Sequence, residues 1–205
     1  MVVPMSPRGY AMTRRRSAVE GTRNRIVVAA ARLHGRQGSL RTTWDEIAAE
    51  ARVSRATVYH HFPSLADLVP ACAQLAFDLV DVPTKEEAAT RFTSTQAPAE
   101  RLRHFVVESC RCYAAGAFWL RAAWRERDLV PEMGQAVRRL QRGLRVLLDS
   151  ALEDAEVSPE TLRVLLALLD FPFWDALRSA GVPEDRIAGR MVLLAESVLS
   201  SGGKR

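Results

Sequence analysis

Residues 43–62, with the sequence TWDEIAAEARVSRATVYHHF, constrain the fold of this chain more than any other segment. Thr43 and Glu46 form a T-x-x-E capping box, in which each side chain satisfies an unpaired backbone donor of the other residue. Ser54 is the N-cap candidate of a second helix, which Pro63 limits to about two turns. The segment therefore predicts two short helices joined by a tight turn.

The second helix has a narrow apolar side and a broad hydrogen-bonding side. Val58 and Phe62 are four residues apart and are expected to pack inward. The outward positions are Arg55, Thr57, Tyr59, His60 and His61. A helical hairpin inside an ordinary bundle is the alternative interpretation, but its exposed side would carry the Glu and Lys mixture of a solvated surface. The pattern favours a helix-turn-helix whose second helix reads DNA.

The spacing T-x-x-x-I-A-x-x-A-x-V-S-x-x-T-V-Y-x-H-F, from Thr43 to Phe62, resembles the DNA-binding signature of TetR-type bacterial transcriptional regulators. The resemblance covers about residues 20–80 and implies a homodimer that binds a palindromic double-stranded DNA operator and senses a small molecule. Two positions depart from the pattern. Arg52 stands where many members have Gly, and Leu65 stands where many have a phosphate-binding Lys.

Basic charge is concentrated around this motif. Residues 1–62 contain eleven arginines and four acidic residues, whereas the remaining 143 residues contain 18 basic and 20 acidic groups. Phosphate attraction requires such a distribution. We expect Arg55, Thr57, Tyr59 and His60 to reach bases or phosphates and the other predicted residues mainly to position the backbone. The predicted DNA-binding residues are Arg14, Arg15, Arg16, Thr43, Ser54, Arg55, Thr57, Tyr59, His60 and His61.

The periodicity of apolar residues predicts an all-α chain with about nine helices and no sheet. We expect a disordered basic arm at 1–20, a helix-turn-helix domain at 21–66, a helical effector-binding and dimerisation domain at 67–200, and a flexible tail at 201–205. The predicted helices are about 21–36, the two of the motif, 64–81, 98–116, 118–127, one from Pro131, 158–180 with a kink at Pro172, and 187–199. Residues 82–96 are predicted to be a linker.

The C-terminal part shows no catalytic or metal-binding spacing, so we expect no enzyme, no cofactor and no metal. It has a surplus of aromatic residues, which are usually core but which line a ligand pocket in TetR-like regulators. By that resemblance we expect an effector site, with an aromatic lining suited to an apolar or planar molecule. Its candidate residues are His104, Tyr113, Trp119, Arg121, Trp124, Asp170 and Trp174.

The last two predicted helices are apolar around most of their circumference and need burial on two sides. A two-fold dimer that joins them in a four-helix bundle would provide it. The candidate dimerisation residues are Leu162, Leu165, Leu166, Leu169, Ile187, Met191, Leu194 and Val198.

No secretory signal or membrane-length apolar segment is visible, so the sequence predicts a cytoplasmic protein without a membrane partner. The leading hypothesis is a transcriptional repressor that a small molecule releases from DNA. The alternatives are a helical small-molecule-binding protein or enzyme without a DNA role, and a DNA-binding protein that responds to no effector.

Overall fold

The structure, a computed structural model, describes residues 7–80, 87, 92 and 97–202, without the side chains of 7–16, 78–80 and 202. All regular secondary structure in these ranges is helical, which confirms the predicted all-α class. The helices are α1 (Pro7–Gln37), α2 (Trp44–Ala51), α3 (Arg55–His61), α4 (Leu65–Val80), α5 (Pro98–Glu126), α6 (Pro131–Ala151), α7 (Pro159–Leu169), α8 (Phe171–Ser179) and α9 (Glu184–Gly202).

The chain divides into two compact units, Met1–Leu75 and Ala76–Arg205. The first unit contains α1, α2, α3 and most of α4, which share one apolar core. Its most deeply buried side chains come from all four helices and include Ile26, Ala30, Ile47, Val58 and Leu68, each at most 1% exposed. The short helices α2 and α3 are thus held by packing, since helices of this length are marginal in isolation.

The N-terminal helix is longer than the sequence analysis predicts. α1 begins at Pro7, so the backbone is helical through most of the segment for which a disordered arm is predicted. The side chains of Arg14, Arg15 and Arg16 lie outside the described residues, as does most of the predicted linker at 82–96. α4 also contains Pro70, which cannot donate to the carbonyl four residues earlier and leaves one gap in the helical hydrogen bonds.

The second unit is built around α5, which packs against α6, α8 and α9. The sequence pattern predicts two helices in this segment, divided near Gly116, and that prediction is wrong, because α5 runs unbroken from Pro98 to Glu126. A glycine inside a helix costs only about 1 kcal/mol relative to Ala. Burial of Phe105, Trp119 and Leu120 along the same helix compensates for it.

The predicted helix at 158–180 is two helices rather than one kinked helix. Asp170 adopts an extended conformation, with φ −75° and ψ 156°, and its side chain accepts the N–H of Phe171 as the N-cap of α8. Pro172 occupies the first turn of α8, where a missing N–H has no consequence. The proline therefore begins a new helix instead of bending an old one.

Half of the predicted dimerisation residues belong to the core of the second unit. Leu165, Leu169, Ile187 and Met191 are 0% exposed within the single chain, so their side chains are not available to a partner. Leu162, Leu166 and Val198 are half-buried, and Leu194 is 42% exposed. The helical periodicity identified the apolar sides of both helices, and the structure divides the predicted residues between the core of the unit and its surface. None of the described helices is long and apolar enough to cross a membrane.

Candidate nucleic-acid interface and ligand groove

The capping box at the start of α2 is confirmed. The Thr43 hydroxyl accepts the backbone N–H of Glu46 at 3.2 Å, and the Glu46 carboxylate accepts the backbone N–H of Thr43 at 2.7 Å. Gln37, the last residue of α1, donates to the same carboxylate at 3.2 Å. These hydrogen bonds, led by that from the Thr43 backbone, lower the pKa of Glu46. The start of α2 is thereby tied to the end of α1.

Arg52 lies in the turn between α2 and α3 with φ 55° and ψ 50°. It is the one non-glycine residue with positive φ in the described part of the chain. This left-handed conformation is the one that glycine adopts without a steric cost, which is consistent with the glycine that TetR-type regulators often have there. The chain accepts a bulkier residue at this position and keeps the turn.

Helix α3 is anchored on one side and open on the other. The Ser54 hydroxyl caps the helix by accepting the backbone N–H of Thr57 at 3.1 Å, as predicted. Val58 is 0% exposed and Phe62, the C-cap residue, is 1% exposed. Arg55 and Tyr59 lie on the opposite side, with 55% of the Arg55 side chain and 37% of Tyr59 exposed. These four positions agree with the predicted inward and outward sides, whereas Thr57 and His61, which were also predicted to face outward, are half-buried.

The open side carries a cluster of side chains that the sequence pattern did not predict. We call it the Arg55 cluster, and it consists of Trp44, Asp45, Arg55 and Tyr59. Arg55 donates to the Asp45 carboxylate at 2.9 Å and to the Tyr59 hydroxyl at 3.4 Å. The Tyr59 ring lies 5.0 Å from the Trp44 ring, measured between centroids. The hydrogen bond to Tyr59 and the charge of Asp45 both raise the pKa of Arg55. Asp45 and Arg55 are ten residues apart and lie on different helices, so helical periodicity could not predict their contact.

The end of α3 carries the paired histidines. The rings of His60 and His61 are 5.5 Å apart and edge to face. Arg23 of α1 lies over the Phe62 ring, 4.8 Å from its centroid, and contributes positive charge near His61. Burial lowers the pKa of His61, and the charges of His60 and Arg23 lower it further. Two ring donors and a guanidinium thus meet at this end of the helix.

In the second unit, four aromatic residues from α5 and α8 fill space against one another. Phe171 contacts Tyr113, Trp124 and Trp174 at centroid distances of 5.7, 5.2 and 5.8 Å. The Tyr113 hydroxyl donates to the carbonyl of Leu169 at 2.8 Å. Tyr113 and Trp174, which the sequence analysis placed in an effector site, are therefore parts of a packed aromatic cluster.

Beside this cluster lies an open groove of about 310 Å³ between α5 and α8. The predicted effector residues Arg121 and Trp124 line it, and Arg121 donates from Nε to the Asp175 carboxylate at 2.8 Å. The indole Nε1 of Trp124 is buried without a hydrogen-bond partner. The full lining is Arg121, Trp124, Phe171, Pro172, Asp175, Ala176 and Ser179.

The other predicted effector residues lie away from this lining. His104 is exposed and packs edge to face on Phe92, with centroids 6.3 Å apart. Trp119 is buried against Phe77 at 6.4 Å. Asp170 accepts a hydrogen bond from Gln141 at 2.8 Å, and burial raises its pKa. Among the described residues, no three His, Cys, Asp or Glu side chains are grouped so that they could hold a metal ion.

Comparison with known proteins agrees with this geometry. The family model of bacterial regulatory proteins of the tetR family matches residues 26–72. No curated protein sequence matches the chain. The fold is similar to that of a transcriptional regulator from Rhodococcus sp. Rha1, with a TM-score of 0.66, 18% identity, and coverage of 89% of this chain and 98% of the other.

Two further solved structures are similar over most of their length. A tetR-family transcriptional regulator from Streptomyces coelicolor has a TM-score of 0.63 and 21% identity, with 87% of this chain and 83% of that chain covered. A protein from Saccharomonospora viridis, described as a transcriptional regulator in complex with choline, has a TM-score of 0.61 and 23% identity, with coverages of 86% and 96%. Residues 26–72 thus match the tetR family of bacterial regulatory proteins, and the chain has the fold of TetR-family transcriptional regulators.

Proposed function

We propose that the protein is a homodimeric, cytoplasmic and non-enzymatic repressor that binds a palindromic operator and is released by a small molecule. The observation that carries the DNA role is the open side of α3. The exposed side chains on this side are Arg55, Tyr59 and His60. On the opposite side, Val58 and Phe62 are buried in the core and anchor the helix. An exposed row of hydrogen-bonding side chains on a rigidly anchored helix is what reading of a major groove requires.

The excess of basic residues in 1–62 supports binding to the DNA backbone. Thr43 and Ser54, both predicted to contact DNA, use their hydroxyls to cap α2 and α3. Their proposed role is therefore to present the backbone at the helix ends to phosphates. Arg14, Arg15 and Arg16 remain proposed phosphate contacts in the same region of sequence.

Exposed apolar side chains on α7 and α9 support the dimer. These two helices pack against each other, and Val164 of α7 is 45% exposed, while Leu193 and Leu194 of α9 are 60% and 42% exposed. We propose that a second copy of the chain covers them, together with the half-buried Leu162, Leu166 and Val198. Two recognition helices would then meet successive major grooves about 34–36 Å apart.

The groove between α5 and α8 is the proposed effector site. Trp124 and Phe171 offer flat apolar surface, and Arg121 and Asp175 offer charged groups at its edge. This lining suits a molecule with a planar or apolar part and one polar group. The choline of the Saccharomonospora viridis protein supports a small-molecule site in a fold of this kind.

The effector would act through α4, which starts in the first unit and ends in the second. Inside the second unit Phe77 of α4 packs against Trp119 and beneath the guanidinium of Arg139. Movement of α5 would therefore reach α4 through Phe77. Because coupling between two sites is reciprocal, operator DNA must weaken effector binding by the factor by which the effector weakens DNA binding.

The decisive experiment is selection of binding sequences by the full chain from random double-stranded DNA, followed by footprinting at stated salt concentrations. A symmetric footprint with two half-sites supports the proposal. Absence of any enriched sequence would instead favour a helical binding protein or enzyme without a DNA role. Specific binding that no small molecule weakens, in a screen of ligand-dependent thermal shifts, would favour a DNA-binding protein without an effector.

A further inference from the structure

Asp45 is an acidic residue placed against the side of α3 that is proposed to meet DNA. Its side chain is 67% exposed, and it accepts a hydrogen bond from Arg55 at 2.9 Å. A carboxylate near DNA phosphates is electrostatically unfavourable, and an exposed ion pair contributes little to folding. An acidic residue in the first turn of α2 does interact favourably with the positive end of the helix dipole, but that interaction does not require an ion pair with Arg55. The pairing with Arg55 therefore needs another explanation.

The geometry around Arg55 restricts its guanidinium from two directions. Nη1 donates to Asp45 and Nη2 donates to the Tyr59 hydroxyl, while Cζ lies 5.4 Å from the centroid of the Tyr59 ring. Tyr59 is itself held by the Trp44 ring at 5.0 Å. A guanidinium has five N–H donors, so about three remain after these two contacts. A bidentate contact to the edge of a guanine needs two.

We infer that Asp45 is a positioning residue that determines sequence specificity, because it holds Arg55 in one orientation for reading a base edge. This inference rests on the proposed function. Without Asp45, the flexible Arg55 side chain would bind any nearby phosphate, and that contact carries no sequence information. Ordering the side chain before binding also reduces the entropy lost in the complex.

A purely structural role of Asp45 would change the affinity for the operator and the affinity for unrelated DNA together, whereas a positioning role changes them differently. Loss of the Asp45 charge removes repulsion of phosphates and strengthens binding to every sequence. Loss of the Asp45 position frees Arg55 and weakens discrimination among sequences. Asp45→Asn removes the charge and also weakens the hold on Arg55, because a neutral amide oxygen is a weaker acceptor than a carboxylate. Asp45→Glu keeps the charge and moves the carboxylate by one methylene group.

The test measures binding of the full chain to its selected operator and to a scrambled duplex of equal length, by fluorescence anisotropy across a range of salt. For Asp45→Asn we expect tighter binding to the scrambled duplex and a ratio of the two affinities that falls by about fivefold or more. For Asp45→Glu we expect the ratio to fall while the affinity for the scrambled duplex stays constant. Thermal unfolding of each variant checks that the fold is retained.

Glu50→Gln is the matched control, because it removes one negative charge from the same helix at a residue that pairs with Arg32 at 3.8 Å instead. It should tighten binding to both duplexes and leave their ratio unchanged. In an Arg55→Ala background, Asp45→Asn should also leave the ratio unchanged. If both Asp45 variants keep the wild-type ratio of affinities, the inference is wrong. The proposed function still stands in that case, provided that the wild-type chain prefers the operator to the scrambled duplex. Equal affinity of the wild-type chain for both duplexes would overturn both.

Discussion

Val53 donates its backbone N–H to the carbonyl of Ala48 at 3.0 Å, which closes the end of α2 in a six-residue ring. Together with the bond from Arg52 to Ala49 at 3.2 Å, this is a Schellman motif, and it requires a left-handed residue at position 52. The chain meets that requirement with an arginine at φ 55°.

Arg52→Gly should therefore stabilise the first unit. The left-handed conformation costs an L-residue about 1–2 kcal/mol. Glycine avoids this cost but recovers only part of it in stability, because its more flexible unfolded state loses more conformational entropy on folding. We expect a gain of about 0.5–1 kcal/mol in the free energy of unfolding by urea. Arg52→Ala is the control, because it removes the guanidinium and keeps the unfavourable φ. Equal stability of the two variants would show that the backbone conformation is not the cause.

Tyr59→Ala should weaken operator binding by about 1–3 kcal/mol if the ring or hydroxyl makes a specific contact. The side chain is 37% exposed, so its loss should leave the fold intact. Tyr59→Phe separates the two parts, since it keeps the stacking on Trp44 and removes the acceptor of Arg55. Anisotropy titrations with operator DNA measure both variants. Wild-type affinity of Tyr59→Ala would remove this residue from the proposed interface.

In the first unit, the sequence predicted the contacts between residues close together in the chain and missed those between distant residues. Thr43 with Glu46 and Ser54 with Thr57 are pairs three residues apart, so capping rules identified them. The contact of Asp45 with Arg55 spans the turn, and its geometry follows from how α2 and α3 cross. No periodic pattern contains that crossing.

In the second unit, prediction from the sequence failed for a different reason. Apolar periodicity predicted the buried sides of α7 and α9, but it does not distinguish a neighbour in the same chain from one in a second copy. Leu165 and Met191 thus look equivalent to Leu194 in sequence, although the first two are 0% and the third 42% exposed. The break at Asp170 was missed because a proline inside an apolar run indicates a kink as readily as a new helix.

His61 should titrate below the ordinary histidine pKa of 6.5, because burial and the charges of His60 and Arg23 disfavour its protonated form. The unfolded chain then binds this proton at higher pH than the folded chain does. This residue's contribution to stability is therefore full above pH 6.5 and is lost as pH falls from 6.5 through its lowered folded pKa. Proton NMR titration of the His61 ring measures the value directly.

His60→Gln is the diagnostic variant for this titration. It removes one neighbouring positive charge, so the pKa of His61 should rise towards 6.5 but stay below it, since burial is the largest cause. Binding of operator DNA should raise the His61 pKa in both proteins, because phosphates favour the charged ring. A His61 pKa at or above 6.5 in the free wild-type chain would contradict the described environment.

Ala176→Leu should block the groove between α5 and α8. Ala176 is exposed and lines the groove, so a larger side chain there occupies ligand space without disturbing the core. A ligand at about 100 times its Kd stabilises the wild-type chain by about 2.7 kcal/mol, which a thermal shift detects. We expect Ala176→Leu to lose that shift. Ala180→Leu, an exposed position of the same segment outside the lining, should keep it, and an equal shift in both variants would move the effector site elsewhere.

Replacement of both Leu193 and Leu194 by Glu should convert the proposed dimer to a monomer. These side chains are 60% and 42% exposed on α9, and burial of apolar surface contributes about 25 cal/mol per Å² to association. Charges at both positions would have to be desolvated in the interface, with no partner charge to compensate. Sedimentation velocity at micromolar concentration measures the change in mass. Operator affinity should fall with it, because a monomer reads one half-site.

Leu129→Glu provides the matched control for this last variant. Leu129 lies between α5 and α6 and is 68% exposed, so its replacement introduces one negative charge at an exposed apolar position that belongs to neither α7 nor α9. It should leave the sedimentation coefficient and the operator affinity unchanged. If Leu129→Glu dissociates the dimer and the α9 variant does not, the interface lies at the α5–α6 end. A wild-type chain that sediments as a monomer would exclude both surfaces and, with them, the symmetric reading of DNA.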